Sequence, residues 1–160
     1  MKPKKRSQRT TIGWREWLAL PDWGVEAIKA KIDTGARTSA LHAFDIETYQ
    51  RDGIAMARFA IHPWQDSSSD VVVVEAPLLE RRKVRSSSGT ARERPVVLTT
   101  MELAGRRESI EVTLTRRDEM GFRMLIGRQA LRRRYIVDPG RSYLGGRPPR
   151  EVIDRNRGRS

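Results

Sequence analysis

Short strand-length segments, each closed by a turn, run through almost the whole 160-residue chain and limit its possible folds more than any other feature. Between Val25 and Ile32, apolar residues alternate with two lysines, and Ile110 to Thr115 alternates in the same way. This period of two residues is typical of a strand with one buried face. About eight or nine such segments recur at spacings of ~8–12 residues, with almost no helical periodicity. The pattern predicts an all-β barrel or sandwich with at most one short helix.

The predicted elements follow from this alternation and from turn residues such as those at 21–24. The predicted strands cover residues 11–20, 25–32, 38–46, 54–61, 71–74, 95–103, 110–115, 124–127 and 135–137, and one short helix covers 129–133. The four consecutive valines of 71–74 predict a strand that is buried on both faces. Residues 81–95 are polar and include three consecutive serines, so we expect a mobile hairpin or loop there.

The composition is that of a soluble globular domain, with 38% hydrophobic and 32% charged residues. We expect one domain at 11–144, between a disordered basic tail at 1–10 and a flexible Arg-rich tail at 145–160. No apolar run approaches the ~18 residues of a membrane span, and no apolar stretch follows the basic N-terminus. The chain has no cysteine, which excludes disulfides and thiolate chemistry. We therefore expect a cytoplasmic protein that does not bind a membrane.

The net charge of +12 is concentrated at the two ends of the chain. Residues 1–10 carry +5 and residues 145–160 carry +3, whereas the long segment 11–144 carries +4. Arginine outnumbers lysine 26 to 6, which fits either phosphate recognition or a G·C-rich genome. Nucleic-acid binding through the basic tails is therefore an open alternative. The basic runs at 81–85 and 132–134 indicate solvated faces or, alternatively, a phosphate-binding stripe.

One tripeptide, Asp33-Thr34-Gly35, ends a predicted strand and is the first candidate for chemistry. It could be a purely structural turn, because Asp and Thr bond their own backbone and Gly adopts dihedrals that other residues avoid. It could also hold a carboxylate in a partly dry site, because an apolar strand leads in and small residues lead out. A second motif, Met124-Leu-Ile-Gly-Arg128, follows about ninety residues downstream.

Together, the apolar-Asp-Thr-Gly-Ala stretch and the later apolar-apolar-Gly-Arg stretch resemble the retropepsin-like aspartic proteases. The segment from Met120 to Arg128 and the opening Ile12-Gly-Trp-Arg-Glu-Trp resemble more closely a bacterial branch named the ATP-dependent zinc proteases. Members of that branch are often linked to ATP-grasp ligases that add glutamates to a ribosomal protein. The resemblance covers roughly residues 11–144. It implies a small closed barrel of the acid-protease type, a peptide or protein substrate, and a ligase or ribosomal protein as a further partner.

The resemblance also implies a catalytic role for Asp33, Thr34 and Gly35. Two carboxylates about 3 Å apart share one proton, so one activates a bridging water and the other protonates the peptide oxygen and then the leaving nitrogen. The chain has one Asp-Thr-Gly, and Asp138-Pro-Gly lacks the threonine hydroxyl. The implied arrangement is therefore a symmetric homodimer in which each copy contributes Asp33. Thr34 would bond the partner's backbone, and Gly35 would let the substrate backbone approach.

Residues around the two motifs have implied roles as well. The residues implied to support the catalytic loop are Leu125, Ile126 and Gly127. The candidates for substrate binding are Ala36, Arg37 and Arg128. Many viral members have an acidic residue at the position of Arg37 that pairs with the later arginine, so we expect Arg128 to lack that partner here. This change makes an acidic, glutamate-rich peptide the expected substrate. A flap is predicted at residues 84–94.

The family name mentions zinc and ATP, but the chain has neither an H-E-x-x-H motif nor a phosphate-binding loop. Only His42 and His62, together with Asp45, could form a metal site, and strand or barrel-rim positions are the more ordinary interpretation. We therefore expect no cofactor. The tryptophans predicted to pack in the core or at its rim are Trp14, Trp17, Trp23 and Trp64.

Three functions are compatible with the sequence. The first is a homodimeric aspartic peptidase with Asp33 as its catalytic carboxylate. The second is a catalytically silent retropepsin-like module that interacts with a ligase or the ribosome. The third is a basic, RNA-associated β-barrel protein. Peptide cleavage by an Asp33→Asn variant would separate the first from the second.

Overall fold

The computed structural model describes residues 8–63, 71–85, 89, 91–116 and 121–156. Its strands are β1 Thr10–Gly13, β2 Arg15–Leu20, β3 Val25–Ile32, β4 Ser39–His42, β5 Phe44–Arg51, β6 Ile54–Ile61, β7 Val72–Arg85, β8 Ala91–Leu103, β9 Arg106–Thr115, β10 Met124–Ile126 and β11 Tyr135–Asp138. Its helices are α1 Arg128–Leu131 and α2 Arg150–Asn156, and a single 3₁₀ turn covers Pro21–Trp23. The fold is mostly β, as predicted, but it has two short α-helices where at most one was expected.

Six strands form a ring around the core, in the order β2, β3, β10, β4, β9 and β8. The ring closes where β8 returns to β2, at the pair Ala19 and Glu102. Apolar residues that alternate along each strand point inward and fill the ring. Among the fully buried residues are Leu20, Ile28, Leu41, Val97, Met101, Leu114 and Ile126. The alternation predicted for β3 and β9 is therefore the pattern that builds the core.

Strands β7, β6 and β5 extend the sheet beyond the ring. The valine run lies at the start of β7 in this extension. Val74 is buried, with 4% of its surface exposed, whereas Val71 and Val73 are 51% and 57% exposed. The prediction that this run is buried on both faces is wrong, because only one face of the extension packs against the rest of the molecule. β-Branched residues suit a strand whether or not both faces are covered.

Strands β7 and β8 continue past their neighbours as a two-stranded ribbon. The pairing of β8 with β9 ends at Val96, whereas the pairing of β7 with β8 runs on to Arg85 and Ala91. Arg82 binds Glu80 and Glu111, and the bond to Glu111 raises the pKa of Arg82. The hairpin predicted within 81–95 is thus present as paired strands. Residues 86–88 and 90 lie outside the described residues, and the role of this ribbon as a flap stays a prediction.

The segment predicted as one first strand is divided at Trp14. Before the break, β1 pairs in parallel with β11, and after it β2 pairs with β3. Gly13 is required at the break, because a Cβ there would overlap the carbonyl of Arg141. This close approach brings the C-terminal part of the chain against the start of β2.

A buried carboxylate fixes that C-terminal part. Glu16 has no exposed surface, and its oxygens accept N–H bonds from Gly13 at 2.7 Å, Leu144 at 2.9 Å and Gly145 at 2.8 Å. Three N–H donors satisfy a carboxylate that burial would otherwise destabilise. Further along, α2 lies within the predicted tail, and its Val152 packs against Ala27. The predicted domain bounds at 11 and 144 stay a prediction.

Within the described parts of the chain, no helix has the length and apolar character needed to cross a bilayer.

Candidate active site

The turn after β3 places the Asp33 carboxylate at the end of a buried strand. The Asp33 N–H donates to the carbonyl of Ile126 at 2.8 Å, and the Gly35 N–H donates to Asp33 Oδ1 at 2.9 Å. The Ala36 N–H closes the turn on the Asp33 carbonyl at 3.2 Å. This is the Asx-type turn expected of the tripeptide. The second carboxylate oxygen, Oδ2, has no hydrogen-bond partner among the described residues and is half-buried, where it could meet a water or a second carboxylate.

Strand β10 lies directly beside this turn. It runs parallel to β3, with Leu125 opposite Lys31 and Ile126 opposite Ile32, and antiparallel to β4. The strand therefore fills the gap between the two strands that the turn connects. The structure thus brings together the two motifs that the sequence separates by about ninety residues.

Gly127 is the point at which the second motif passes closest to the turn. A Cβ at this position would overlap the Thr38 carbonyl, so only glycine fits. The Gly127 N–H donates to the buried hydroxyl of Ser39 at 3.1 Å. The chain thus passes from β10 into α1 with its backbone against residues 36–39.

Helix α1 holds the outer part of the turn. The Arg128 N–H donates to the Ala36 carbonyl at 2.8 Å, and its guanidinium Nη1 donates to the Thr34 carbonyl at 3.0 Å. The Gln129 N–H donates to the Arg37 carbonyl at 3.0 Å. Among the described residues Arg128 has no acidic partner, as expected, and a backbone carbonyl of the turn takes the place of the acidic side chain. Arg128 contacts the turn itself.

Arg37, unlike Arg128, does not contact the turn through its side chain among the described residues. Its side chain is exposed and makes no ion pair with any of the described residues. Ala36 is half-buried beside it. A guanidinium in this position can accept a carboxylate or phosphate from outside the chain. Binding of substrate by Ala36, Arg37 and Arg128 stays a prediction.

Two contacts at the turn were not foreseen from the sequence. Ser39 supplies the hydroxyl for Gly127, and the Trp14 carbonyl accepts the Ile32 N–H at 2.8 Å. For Ser39 a signal existed, since it lies two residues before buried Leu41 and therefore on the inward face of β4. The Trp14 contact is made by backbone, which leaves no mark in the sequence.

The residues considered for a metal do not assemble. His62 stacks on Phe44, with 4.5 Å between the ring centroids, and His42 belongs to β4. Across the described ranges, no group of three His, Cys, Asp or Glu side chains could hold a metal ion. Three of the four tryptophans are half-buried, and Trp23 packs edge-on against Phe59. Trp64 and Met120 lie outside the described residues.

The six-stranded ring, the Asp-Thr-Gly turn and the Gly-Arg segment beside it together define a retropepsin-like protein. The family described as retropepsin-like aspartic endopeptidase RimB matches residues 11–148, and the chain belongs to this RimB-like family.

Among the similar proteins are probable alpha-L-glutamate ligases. One from Shewanella pealeana is 42% identical over 135 residues, and one from Parasynechococcus marenigrum is 44% identical over 140 residues. These matches cover 84% and 88% of this chain but 30% of each relative. The chain therefore spans just under a third of the length of the ligases that it matches.

A solved structure supports the fold independently. A Legionella pneumophila protein of unknown function, assigned to the DUF785 group, superposes with a TM-score of 0.73 at 27% identity. The match covers 86% of this chain and 99% of that protein.

Proposed function

We propose that this protein is an aspartic endopeptidase in which two copies of the chain each contribute Asp33. The observation that carries the proposal is the way β10 and α1 clamp the Asp33 turn, through Ile126, Gly127 and Arg128. A turn held by these hydrogen bonds keeps its carboxylate in a fixed orientation, as catalysis requires. Each chain presents one such turn, so the acid and the base of the reaction come from different copies.

The chemistry needs no group beyond the two carboxylates and a water. Two carboxyl groups about 3 Å apart retain one proton between them, because like charges so close cannot both ionise. The ionised carboxylate removes a proton from the bridging water, which attacks the peptide carbonyl carbon. The protonated carboxyl donates to the carbonyl oxygen, and the peptide C–N bond then breaks as the nitrogen is protonated. Gly35, which is exposed and has no side chain, leaves room for the substrate backbone.

The preferred substrate in this proposal is a glutamate-rich peptide. Arg37 is exposed beside the turn and has no ion-pair partner among the described residues, so it is free to bind a substrate carboxylate. The glutamate ligases that contain a region similar to this chain suggest a glutamate-bearing protein as substrate and a ligase as partner. The predicted cytoplasmic location belongs to the same proposal.

Mixing subunits tests the shared site. Wild-type chain is mixed with an equal amount of Asp33→Asn chain, subunits are allowed to exchange, and hydrolysis of a fluorogenic glutamate-rich peptide is measured. If both Asp33 residues are needed, activity falls to about one quarter of that of the same total amount of wild-type chain. A fall to about one half would mean that each chain acts alone, and full activity of Asp33→Asn would exclude aspartic catalysis.

A second variant tests the substrate preference. Arg37→Glu should lower kcat/KM for a glutamate-rich peptide by about tenfold or more, and should change kcat/KM much less for a matched glutamine-rich peptide. The comparison of two peptides separates specificity from damage to the site. If Arg37→Glu keeps the wild-type ratio between the peptides, Arg37 does not select acidic substrates.

A catalytically silent module is the second candidate. It is favoured by the ligases in which a region similar to this chain makes up 30% of the length, since such a region could serve to bind or orient a substrate for its neighbour. In that case the wild-type chain and Asp33→Asn would bind the ligase or its substrate equally, and neither would cleave peptide.

A further inference from the structure

The arginine run that follows α1 forms part of a positively charged cavity next to the Asp33 turn. The cavity has a volume of about 540 Å³ and is lined by Arg106, Gln129, Arg132, Arg133 and Arg134. Gln129 links this cavity to the segment after the Asp33 turn, because its backbone N–H donates to the Arg37 carbonyl. The cavity therefore adjoins the segment that follows the Asp33 turn.

The positive charge of this cavity is not balanced within the described residues. Glu108 binds Arg134 at 3.1 Å and Arg106 at 3.5 Å. Arg132 and Arg133 are exposed and form no ion pair in the part of the chain that the structure describes. Four arginines facing one carboxylate leave an excess of three positive charges.

The backbone supplies a second observation. Arg132 has φ −56° and ψ 133°, Arg133 has φ 68°, and the Arg134 N–H donates to the Leu131 carbonyl at 3.2 Å. These values describe a type II β-turn, whose third residue is usually glycine because its φ is positive. Arginine is disfavoured at that position, and residues held in such conformations concentrate at ligand sites. The chain keeps a guanidinium at a point where the turn alone would favour glycine.

We propose that this cavity is a binding site for phosphate groups, supplied by the backbone of single-stranded RNA or by a free phosphate compound. Each guanidinium offers a planar fork that can bind two phosphate oxygens. A single carboxylate from a ligand would neutralise only one of the three excess positive charges. A phosphate dianion or several consecutive phosphodiesters would neutralise more of them. The proposal concerns binding alone and does not depend on peptide cleavage.

A cavity elsewhere in the molecule provides the matched control. It lies on β5 and β6, has a volume of about 530 Å³, and includes Arg51 and Arg58 together with Glu47 and Glu75. Arg51 binds Glu75 at 2.9 Å. These arginines already face carboxylates. Replacing both with glutamine therefore removes two positive charges from the chain, as the test variant does, but leaves the arginine-rich cavity intact.

The test compares three full-length proteins: the wild type, Arg132→Gln/Arg133→Gly, and Arg51→Gln/Arg58→Gln. Binding of a labelled single-stranded RNA is measured by fluorescence anisotropy at several salt concentrations. We expect the first variant to bind RNA at least about tenfold more weakly, with the slope of log K against log salt smaller by ~1.4 for two lost phosphate contacts. The control should change affinity less than about threefold. Arg133→Gly alone should be at least as stable to heat as the wild type, because glycine suits the turn.

A second measurement separates the two sources of phosphate. Thermal stabilisation by inorganic phosphate, relative to chloride at the same ionic strength, is recorded for all three proteins. Loss of this stabilisation in Arg132→Gln/Arg133→Gly with unchanged RNA affinity would assign the site to a free phosphate compound, and loss of RNA affinity would assign it to RNA. The proposal is overturned if Arg132→Gln/Arg133→Gly keeps both responses. It is also overturned if only a glutamate-rich peptide distinguishes that variant from the control.

Discussion

At the residue scale, the Asp33 turn depends on close contacts made at Gly127, Ser39 and Arg128. Gly127 carries no side chain, and the space where a Cβ would lie is occupied by the Thr38 carbonyl. Ser39 and Arg128 then bond the backbone on either side of this contact. The hydrogen bonds that hold the turn can therefore form only because Gly127 has no Cβ.

Gly127→Ala should destabilise the protein and disturb the turn. The added Cβ meets backbone, which cannot rotate away, so we expect a loss of about 1–3 kcal/mol in unfolding free energy. Urea denaturation measures this loss, and peptide cleavage should fall with it. Gly140→Ala is the matched control, since its Cβ would meet only Asp138 Oδ1 at 3.5 Å. Equal stability of the two variants would contradict the close approach at Gly127.

Tyr135 contributes stability to the folded protein that is lost at high pH. Burial raises the pKa of its hydroxyl to about 12, and the hydroxyl donates to the Leu103 carbonyl at 3.0 Å. In the unfolded chain the group titrates near pH 10, so the unfolded state loses its proton first as the pH rises. The stability that the neutral hydroxyl contributes is present below about pH 10 and is lost between about pH 10 and 12.

Comparison with Tyr135→Phe isolates this effect. We expect the wild type to lose up to about 2 kcal/mol more than the variant between pH 9 and pH 12, because phenylalanine cannot ionise. The variant should be less stable at neutral pH, since it leaves the Leu103 carbonyl without its buried donor. Chemical denaturation at a series of pH values tests the prediction, and parallel pH curves for the two proteins would contradict it.

At the scale of elements, a single carboxylate joins the two ends of the described chain. Glu16 lies on β2 and bonds the backbone of Leu144 and Gly145, while α2 packs Val152 near β3. The segment between β11 and α2 thus depends on a buried group that lies about 130 residues earlier in the sequence. Loss of that group should release the segment before it affects the ring.

Glu16→Gln should loosen the C-terminal segment. The amide has one acceptor oxygen, so its NH₂ group would face at least one backbone N–H, and we expect a cost of about 1–3 kcal/mol. Limited proteolysis should cut near residues 141–150 faster than in the wild type. Glu47→Gln, an exposed position on β5, should leave the cleavage rate unchanged. A Glu16→Gln protein that resists protease like the wild type would show that the three bonds are not needed.

At the scale of the whole molecule, the chain has one Asp-Thr-Gly turn, which would form half of the active site in the proposed dimer. If the proposed dimer forms reversibly, dilution should lower specific activity, because monomers hold a single Asp33 carboxylate. Initial rates measured over about three decades of enzyme concentration, together with sedimentation velocity, test this prediction. A specific activity that stays constant while the protein sediments as a monomer would exclude the shared site.

Local alternation explains why some elements were predictable. Strands β3 and β6 begin and end at the predicted residues, because a buried and an exposed face show directly in a period of two. The break at Trp14 was not predicted, since it depends on how closely Arg141 approaches Gly13. Helix α2 was missed because its seven residues make only about two helical turns, too few for a helical period to show in the sequence.

The sequence by itself determined the strands, the turn at Asp33 and the two motifs that indicate a retropepsin-like protein, because each of these depends on neighbouring residues. Only the tertiary structure decided how the ring closes, which backbone groups hold the turn, and that Arg128 bonds the Thr34 carbonyl. It also decided which arginines are left without a carboxylate. These features depend on contacts between residues far apart in the chain, and the alternation of side chains along a strand carries no information about such contacts.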